Sequence, residues 1–282
     1  MKKILIFGGN GLIGKKLINK IKLFKNCKYI NIDKNDLDLS LNTNKELIKQ
    51  KVEEINADIV IILASIKRQL GDSSNIKNYN DKITDNLAYA LSEKQSKIVY
   101  LSSAAVYGEK NNQTDFNELS MISPTSSYGE HKVRSEKIYK KFIDNKKLLI
   151  IRPPLIYDMD EKKGYNPSGF LNSAIKNKFI KLWGKGNELR EFILLEDAAN
   201  IILKLSFINC YGIYNLTSGE SFSYREIAEH ISKYIDCDII EQARTGIAVN
   251  HTYENHKLKS LIYNYDFITP KEAVDSILFE KY

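Results

Sequence analysis

A short apolar run, Ile4-Leu5-Ile6-Phe7, leads directly into Gly8-Gly9-Asn10-Gly11-Leu12-Ile13-Gly14, and a helical pattern of Ile13, Leu17, Ile21 and Phe24 follows without a break. Few folds place a glycine loop between a buried strand and a helix. Glycine permits the tight turn and lets helix lie close on strand, while the unpaired amides at the helix start face any anion. Glycine-rich turns also arise for steric reasons alone. The position of this loop, after the first strand and before the first helix, is what points to dinucleotide binding by Gly8, Asn10, Gly11, Leu12, Ile13 and Gly14.

The alternation continues. Tyr29–Ile32 precedes a helical pattern at Ile48, Val52 and Ile55, Ile59–Leu63 precedes a helix around Asn80–Ser92, and Ile98–Leu101 precedes a helix over Ser127–Phe142 and the run Leu148–Ile151. Apolar runs without polar alternation suit strands buried on both faces, and helices between them suit right-handed crossovers. The expected class is α/β, a Rossmann-type doubly wound parallel sheet over residues 1–155, with a smaller α+β C-terminal substrate region over 156–282 and segments around 190–216 returning to the first. Pro153-Pro154 ends regular pairing, and further helices are expected near Phe170–Asn177, Glu196–Ser206, Tyr224–Tyr234 and after Pro270. Ligands of such sheets bind at the carboxyl ends of the strands.

Composition excludes several classes. With 43% hydrophobic residues, 5 Pro and 14 Gly in 282 residues, the chain is neither disordered nor fibrous. Its longest apolar run, Ile59–Ala64, is far below the roughly 18 residues of a membrane helix, and the N-terminal apolar stretch is interrupted by glycines. A cytoplasmic protein without membrane contact is expected. The net charge is 42 − 35 = +7, but lysine is spread along the whole chain rather than gathered with aromatics, so no nucleic-acid partner is expected. Cys27, Cys210 and Cys237 form neither a disulfide framework nor a zinc motif, and His251 and His256 lack the i,i+4 spacing of a two-His metal site. No metal is expected, and both histidines are read as surface residues.

Asp33 ends the second strand about twenty residues beyond the loop, where an adenosine ribose offers its 2′-hydroxyl, and this favours NAD. Adjacent Lys34 could receive a 2′-phosphate, which keeps NADP open. Strand four runs into Ser102-Ser103-Ala104-Ala105-Val106-Tyr107-Gly108, so hydroxyls emerge at a strand end. Tyr128-Gly129-Glu130-His131-Lys132 then puts Tyr and Lys at i and i+4 on one helix face. An ammonium beside a phenol favours the phenolate, making Tyr128 a usable base near neutral pH. Ser103, Tyr128 and Lys132 are the candidate catalytic residues.

These motifs together resemble, nearly end to end, the extended short-chain dehydrogenase/reductase family, in its NAD-dependent epimerase/dehydratase group acting on nucleotide-activated sugars. The resemblance rests on the glycine loop, the Ser102–Gly108 stretch, the Tyr/Lys pair, Asn80 and Thr84 in Asn80–Asn86, Leu63–Lys67, Arg152-Pro153-Pro154, Gly184–Phe192 with Glu196-Asp197, Tyr214–Leu216 and Tyr224–Ile227. It implies that Ala64, Lys67, Asn80 and Pro153, with Tyr128 and Lys132, lie against the cofactor. It also implies that Ser103, Ala104, Tyr128 and Arg190 meet the substrate, Arg190 at the nucleotide diphosphate. A homodimer through the helices containing Asn86 and Tyr128–Lys132 is likewise implied. Ala104 and Ala105 stand where dehydratases of the family carry Asp and Glu, and neither can move a proton or offer a thiol. That leaves simple redox at one carbon: a 4-epimerase, or an NADPH-dependent 4-ketosugar reductase; Leu155, which replaces a substrate-contacting Asn, leans towards a divergent substrate or the reductase. A catalytically idle dinucleotide-binding scaffold is the non-enzyme alternative, and retention of Ser103, Tyr128 and Lys132 speaks against it.

Overall fold

The computed structural model describes residues 1–66, 72–108 and 113–279. In chain order the elements are β1 (Lys2–Phe7), α1 (Leu12–Ile21), β2 (Cys27–Ile32), α2 (Lys45–Ile55), β3 (Ile59–Ile62), α3 (Ser74–Leu91), β4 (Lys97–Leu101), β5 (Gln113–Phe116), α4 (Ser127–Phe142) and β6 (Leu148–Arg152). They continue with β7 (Leu155–Tyr157), α5 (Pro167–Asn177), β8 (Phe179–Trp183), β9 (Leu189–Arg190), β10 (Phe192–Leu194), α6 (Leu195–Phe207) and β11 (Gly212–Asn215). The last are β12 (Phe222–Ser223), α7 (Tyr224–Ser232), β13 (Asp238–Gln242), β14 (His251–Tyr253), α8 (His256–Lys259) and α9 (Pro270–Phe279).

The chain divides into two compact units, the first comprising Met1–Gly108, Met121–Arg152 and Ala199–Tyr214, the second Glu109–Ser120, Pro153–Ala198 and Asn215–Tyr282. The first is built on the doubly wound parallel sheet, in the order β11-β6-β4-β3-β1-β2. The chain runs from β1 outward to β2 and then crosses to β3 on the other side, pairing Ile4 with both Tyr29 and Ile59. This reversal is the topological switch point, and it opens a crevice outside the carboxyl ends of β1 and β3. The central strands β3, β4 and β6 are buried along nearly their whole length, as their unbroken apolar runs require, whereas β2, at the sheet edge, alternates half-buried and exposed residues up to the buried Ile32. Leu5, Phe7, Val60, Ile62, Ile98 and Ile150 form one core face with Leu87 and Leu91 of α3 and Ile48 of α2. Each such side chain contributes roughly 1.5–3 kcal/mol on burial.

Helix α3 begins six residues before the expected Asn80. Its first turn, Ser74-Asn75-Ile76-Lys77-Asn78, is too polar to show apolar periodicity; Ser73 caps it, accepting the Ile76 amide at 3.4 Å. Helix α4 spans the expected residues, capped by Ser126, whose Oγ accepts the Gly129 amide at 3.1 Å. The two helices lie together: Thr84 Oγ1 meets Ser135 Oγ at 2.8 Å, His131 Nδ1 meets Asp81 Oδ1 at 2.8 Å, and Arg134 grips both oxygens of Asp85 at 2.9 Å.

The second unit collects short two-stranded pairings, β7 with β10, β9 with β12, β8 with β13 and β5 with β14, and helices α5, α7 and α9. Phe192, Phe170 and Tyr224 centre its core, with the rings of Phe192 and Tyr224 5.4 Å apart. Ser223 and Glu226 form a capping box at the start of α7. Glu109–Ser120 falls inside the 1–155 boundary read from sequence, yet it belongs here because β5 pairs with β14. His251 corrects a second expectation: it is not a surface residue but buried on β14, edge-on to Phe116 at 5.5 Å, a consequence of long-range pairing that its own polar neighbourhood does not show. His256 is exposed, as read. Among the described residues no helix is long and apolar enough to cross a membrane, and no cluster of His, Cys, Asp or Glu could hold a metal.

Candidate active site

The glycine loop sits at the carboxyl end of β1. Gly8 has φ +89°, and a Cβ there would stand 2.8 Å from the Ala64 amide nitrogen, so glycine is required both by conformation and by the close approach of the chain leaving β3. At Gly14 a Cβ would meet Gly9 Cα at 2.5 Å, so helix α1 lies directly on the loop. Gly9 is held from β2, its amide donating to Asn31 Oδ1 at 2.8 Å. Helix α1 starts from Gly11 with no side-chain cap and no acidic residue in its first turn. Its N-terminal amides and dipole are therefore available to an anion.

Asp33 stands just past β2, its Oδ2 accepting from the side-chain Nδ2 of Asn10 and its Oδ1 from the backbone amide of Asn35 at 2.7 Å. The carboxylate is thereby fixed at the edge of the loop. Lys34 turns elsewhere, with Nζ 3.9 Å from Asp38 and 5.1 Å from the Tyr79 ring centroid. Asn80, buried on α3, clamps the segment after β3: its Oδ1 accepts the Ile66 amide at 2.8 Å and its Nδ2 donates to the Ile66 carbonyl at 3.1 Å. The side chain thus shapes the loop carrying Ala64. Lys67 lies outside the described residues.

At the end of β4 the chain alternates faces. Ser102 is buried and Ser103 half-buried, opening a 3-10 turn over Ala104–Tyr107 with its Oγ accepting the Ala105 amide at 3.2 Å. Helix α4 packs against that turn so closely that a Cβ on Gly129 would meet the Ala105 carbonyl at 2.7 Å. Tyr128 precedes this glycine, half-buried, its amide donating to Asp72 Oδ1 at 3.0 Å. Lys132, one turn on, is buried. Its Nζ donates to the Leu101 carbonyl at 2.8 Å and lies 4.9 Å from the Tyr100 ring centroid and 5.5 Å from that of Tyr128. Burial lowers the Lys132 pKa to about 7, against an opposing pull from Glu136.

The carboxyl ends of neighbouring strands thus gather the loop, Asp33, Ala64, Ser103, Tyr128 and Lys132 in the first unit. Pro153 and Arg190 belong to the second. There Arg190 is half-buried, its guanidinium donating to the Leu189 carbonyl at 2.8 Å and to the Val249 carbonyl. Sequence reasoning missed Asn31 and Asp72, which hold Gly9 and Tyr128 from distant segments and carry no local motif. It also missed Glu136, which the i,i+4 series Tyr128, Lys132, Glu136 could have revealed.

A sheet of this order with a glycine loop at its switch point is the architecture of dinucleotide-binding α/β proteins. The chain belongs to the NAD dependent epimerase/dehydratase family, whose family model matches residues 4–217. A Methanocaldococcus jannaschii protein provisionally named a UDP-glucose 4-epimerase is 29% identical over 259 residues, 82% of either chain. Among solved structures, dTDP-4-dehydrorhamnose reductase of Bacillus anthracis in complex with NADP superposes with TM-score 0.80, 20% identity and full coverage of both chains. UDP-glucose 4-epimerase of Thermus thermophilus in complex with NAD superposes with TM-score 0.77 and 19% identity, covering 97% of this chain and 98% of that one. At these identities the two structures bear on the fold alone.

Proposed function

We propose that this chain is an NAD(P)-dependent oxidoreductase/epimerase of a nucleotide-activated sugar, moving hydride at one carbinol carbon, C4, with Tyr128 as acid and base. The observation that carries the reading is the buried ammonium of Lys132, 5.5 Å from the Tyr128 ring at the strand end bearing Ser103. A buried cation beside a phenol stabilises its phenolate.

The loop fits a dinucleotide. Its cradle is kept open by glycines that tolerate no Cβ, and the uncapped start of α1 suits a pyrophosphate. Asp33 accepts from the adenosine ribose, and the turn of Lys34 towards Asp38 and Tyr79 favours NAD over NADP. Ala64 lines the cofactor side of the crevice and Lys132 donates to the nicotinamide ribose. When bound, the nicotinamide ring supplies the hydride acceptor and donor. Tyr128 takes the hydroxyl proton as C4 gives up its hydride, and Ser103 donates to the sugar oxygen, leaving a 4-keto sugar. An epimerisation would be completed with Tyr128 giving the proton back to the C4 oxygen while the bound cofactor would supply hydride to the opposite face of C4. Ala104 leaves space beside the ring and adds no acid or base, Arg190 binds the diphosphate, and the active form is a homodimer through α3 and α4.

A second reading, a 4-ketosugar reductase, is favoured by Leu155, an exposed apolar side chain where an epimerase has Asn. Denaturing the purified protein and identifying released dinucleotide separates the two. Near-stoichiometric NAD or NADH supports the epimerase, and an empty protein that binds NADPH supports the reductase. Tyr128→Phe is expected to abolish turnover of nucleotide hexoses while cofactor binding persists; a variant that turns over normally sinks the mechanism.

A further inference from the structure

Behind Ser103 lies a buried polar network. The guanidinium of Arg152, at the end of β6, holds Glu136 by two bonds, Nε to Oε1 at 2.9 Å and Nη2 to Oε2 at 2.6 Å. Ser102 Oγ donates to the same Glu136 Oε1 at 2.6 Å, and Arg152 Nη1 donates to the Tyr107 hydroxyl at 2.8 Å. Ser102, Tyr107, Glu136 and Arg152 are all buried. The turn carrying Ser103 is therefore fixed at both ends, through Ser102 to the carboxylate and through Tyr107 to the guanidinium. Glu136 also follows Lys132 by one helical turn. Consecutive residues of the β4 end, Leu101 and Ser102, are bonded to Lys132 and Glu136 respectively, stapling one face of α4 to that strand end.

We propose that Glu136 is a positioning residue of the active site, which, anchored by Arg152, fixes the Ser103 turn and supplies the anionic charge that favours the ammonium form of Lys132 beside Tyr128. The inference rests on the function proposed above. Among the described residues, the titratable and charged groups facing Lys132 are Tyr100 from β4 and Tyr128, His131 and Glu136 from α4; behind Glu136 stand Arg152 from β6 and, on it, Tyr107 from the turn, and behind His131 stands Asp81 from α3. Burial and His131, when protonated, oppose the charge on Lys132, and Glu136 is the group that favours it. A carboxylate one helical turn from a buried ammonium favours its charged form.

Glu136→Gln tests this, because the amide keeps the shape and an acceptor for Ser102 while removing the charge. The first readout is the pH titration of the Lys132 Nζ resonance in protein labelled with ¹⁵N-lysine, assigned through Lys132→Met. The midpoint is expected to fall by about one unit or more in Glu136→Gln. The second is the pH profile of kcat, whose rise with pH is expected to move upward, with about a tenfold loss at pH 7 and a nearly unchanged KM. If Glu136→Gln fails to fold around an unpaired guanidinium, Glu136→Gln with Arg152→Met removes both charges, a change that buried pairs often tolerate, and smaller shifts in the same directions are expected. An unmoved Nζ midpoint, or a kcat lowered equally at every pH, overturns the proposal. A shifted Nζ midpoint in a protein whose turnover ignores Tyr128→Phe upholds the coupling of Glu136 to Lys132 and overturns the catalytic reading instead.

Discussion

Lys132 is buried with its ammonium on one backbone carbonyl, and burial brings its pKa from the usual 10.5 to about 7. The fold therefore bears the cost of a buried charge fully below about pH 7 and progressively less as pH rises towards 10.5. Lys132→Met is expected to abolish turnover yet raise Tm, most strongly at pH 6, with the gain shrinking as the pH is raised; thermal melts at several pH values check this. Glu191 presents the opposite case. It is buried, its Oε2 accepts the amides of Ser218 at 3.0 Å and Gly219 at 3.3 Å, and burial outweighs these bonds, raising its pKa to about 8. A carboxyl whose folded pKa is raised stabilises most below its unfolded value near 4.5, and that stability is lost as pH rises through about 8. The Tm of Glu191→Gln relative to the native protein should accordingly climb between pH 5 and pH 8.5, by an amount on the order of a few kcal/mol in stability. A constant difference across that range contradicts the assignment.

Helix α4 brings Tyr128 into place through its N-terminus, where Ser126 takes the Gly129 amide and Asp72 the Tyr128 amide. Losing such a cap costs about 0.5–2 kcal/mol, so Ser126→Ala should lower both stability and kcat, measurable by urea unfolding and steady-state assay. The neighbouring Gly129 has no room for a side chain against the Ala105 carbonyl, 2.7 Å from a Cβ. Gly129→Ala must push α4 off the turn carrying Ser103, and a larger loss in kcat than in cofactor affinity is expected. The β1–loop–α1 element should behave in the reverse sense. Gly14→Val, which sets a branched side chain against Gly9, should remove dinucleotide binding first, as fluorescence titration with NADH would show. The start of α4 was legible from its Ser-Tyr-Gly-x-His-Lys run, and the start of α3 was not, because its polar first turn is specified by the Ser73 cap rather than by periodicity.

On the scale of the whole molecule, the site depends on parallel strands arriving side by side. The glycine loop, the Leu63–Ile66 segment and Ser103 are far apart in sequence and adjoin only because β1, β3 and β4 pair in register, Phe7 with Ile62 and Ile62 with Tyr100. Cofactor binding should therefore stabilise the fold globally: saturation at a hundred times Kd contributes about 2.7 kcal/mol, visible as a raised Tm. NADH is expected to raise Tm more than NADPH at equal concentration, and Asp33→Ser to erase that difference; a larger shift with NADPH reverses the assigned preference.

Sequence by itself determined the α/β class, the succession of buried strands along the chain and the local motifs, because unbroken apolar runs, glycine at a strand-to-helix turn and i,i+4 spacing are short-range signals with one physical cause each. It could not show that Asn31 and Asp72 hold Gly9 and Tyr128, that β5 leaves the first unit to pair with β14, or that His251 is buried. Only the tertiary structure decided these. The reason is that hydrogen bonds and burial between segments 22, 56 and 137 residues apart leave no periodic trace in either partner.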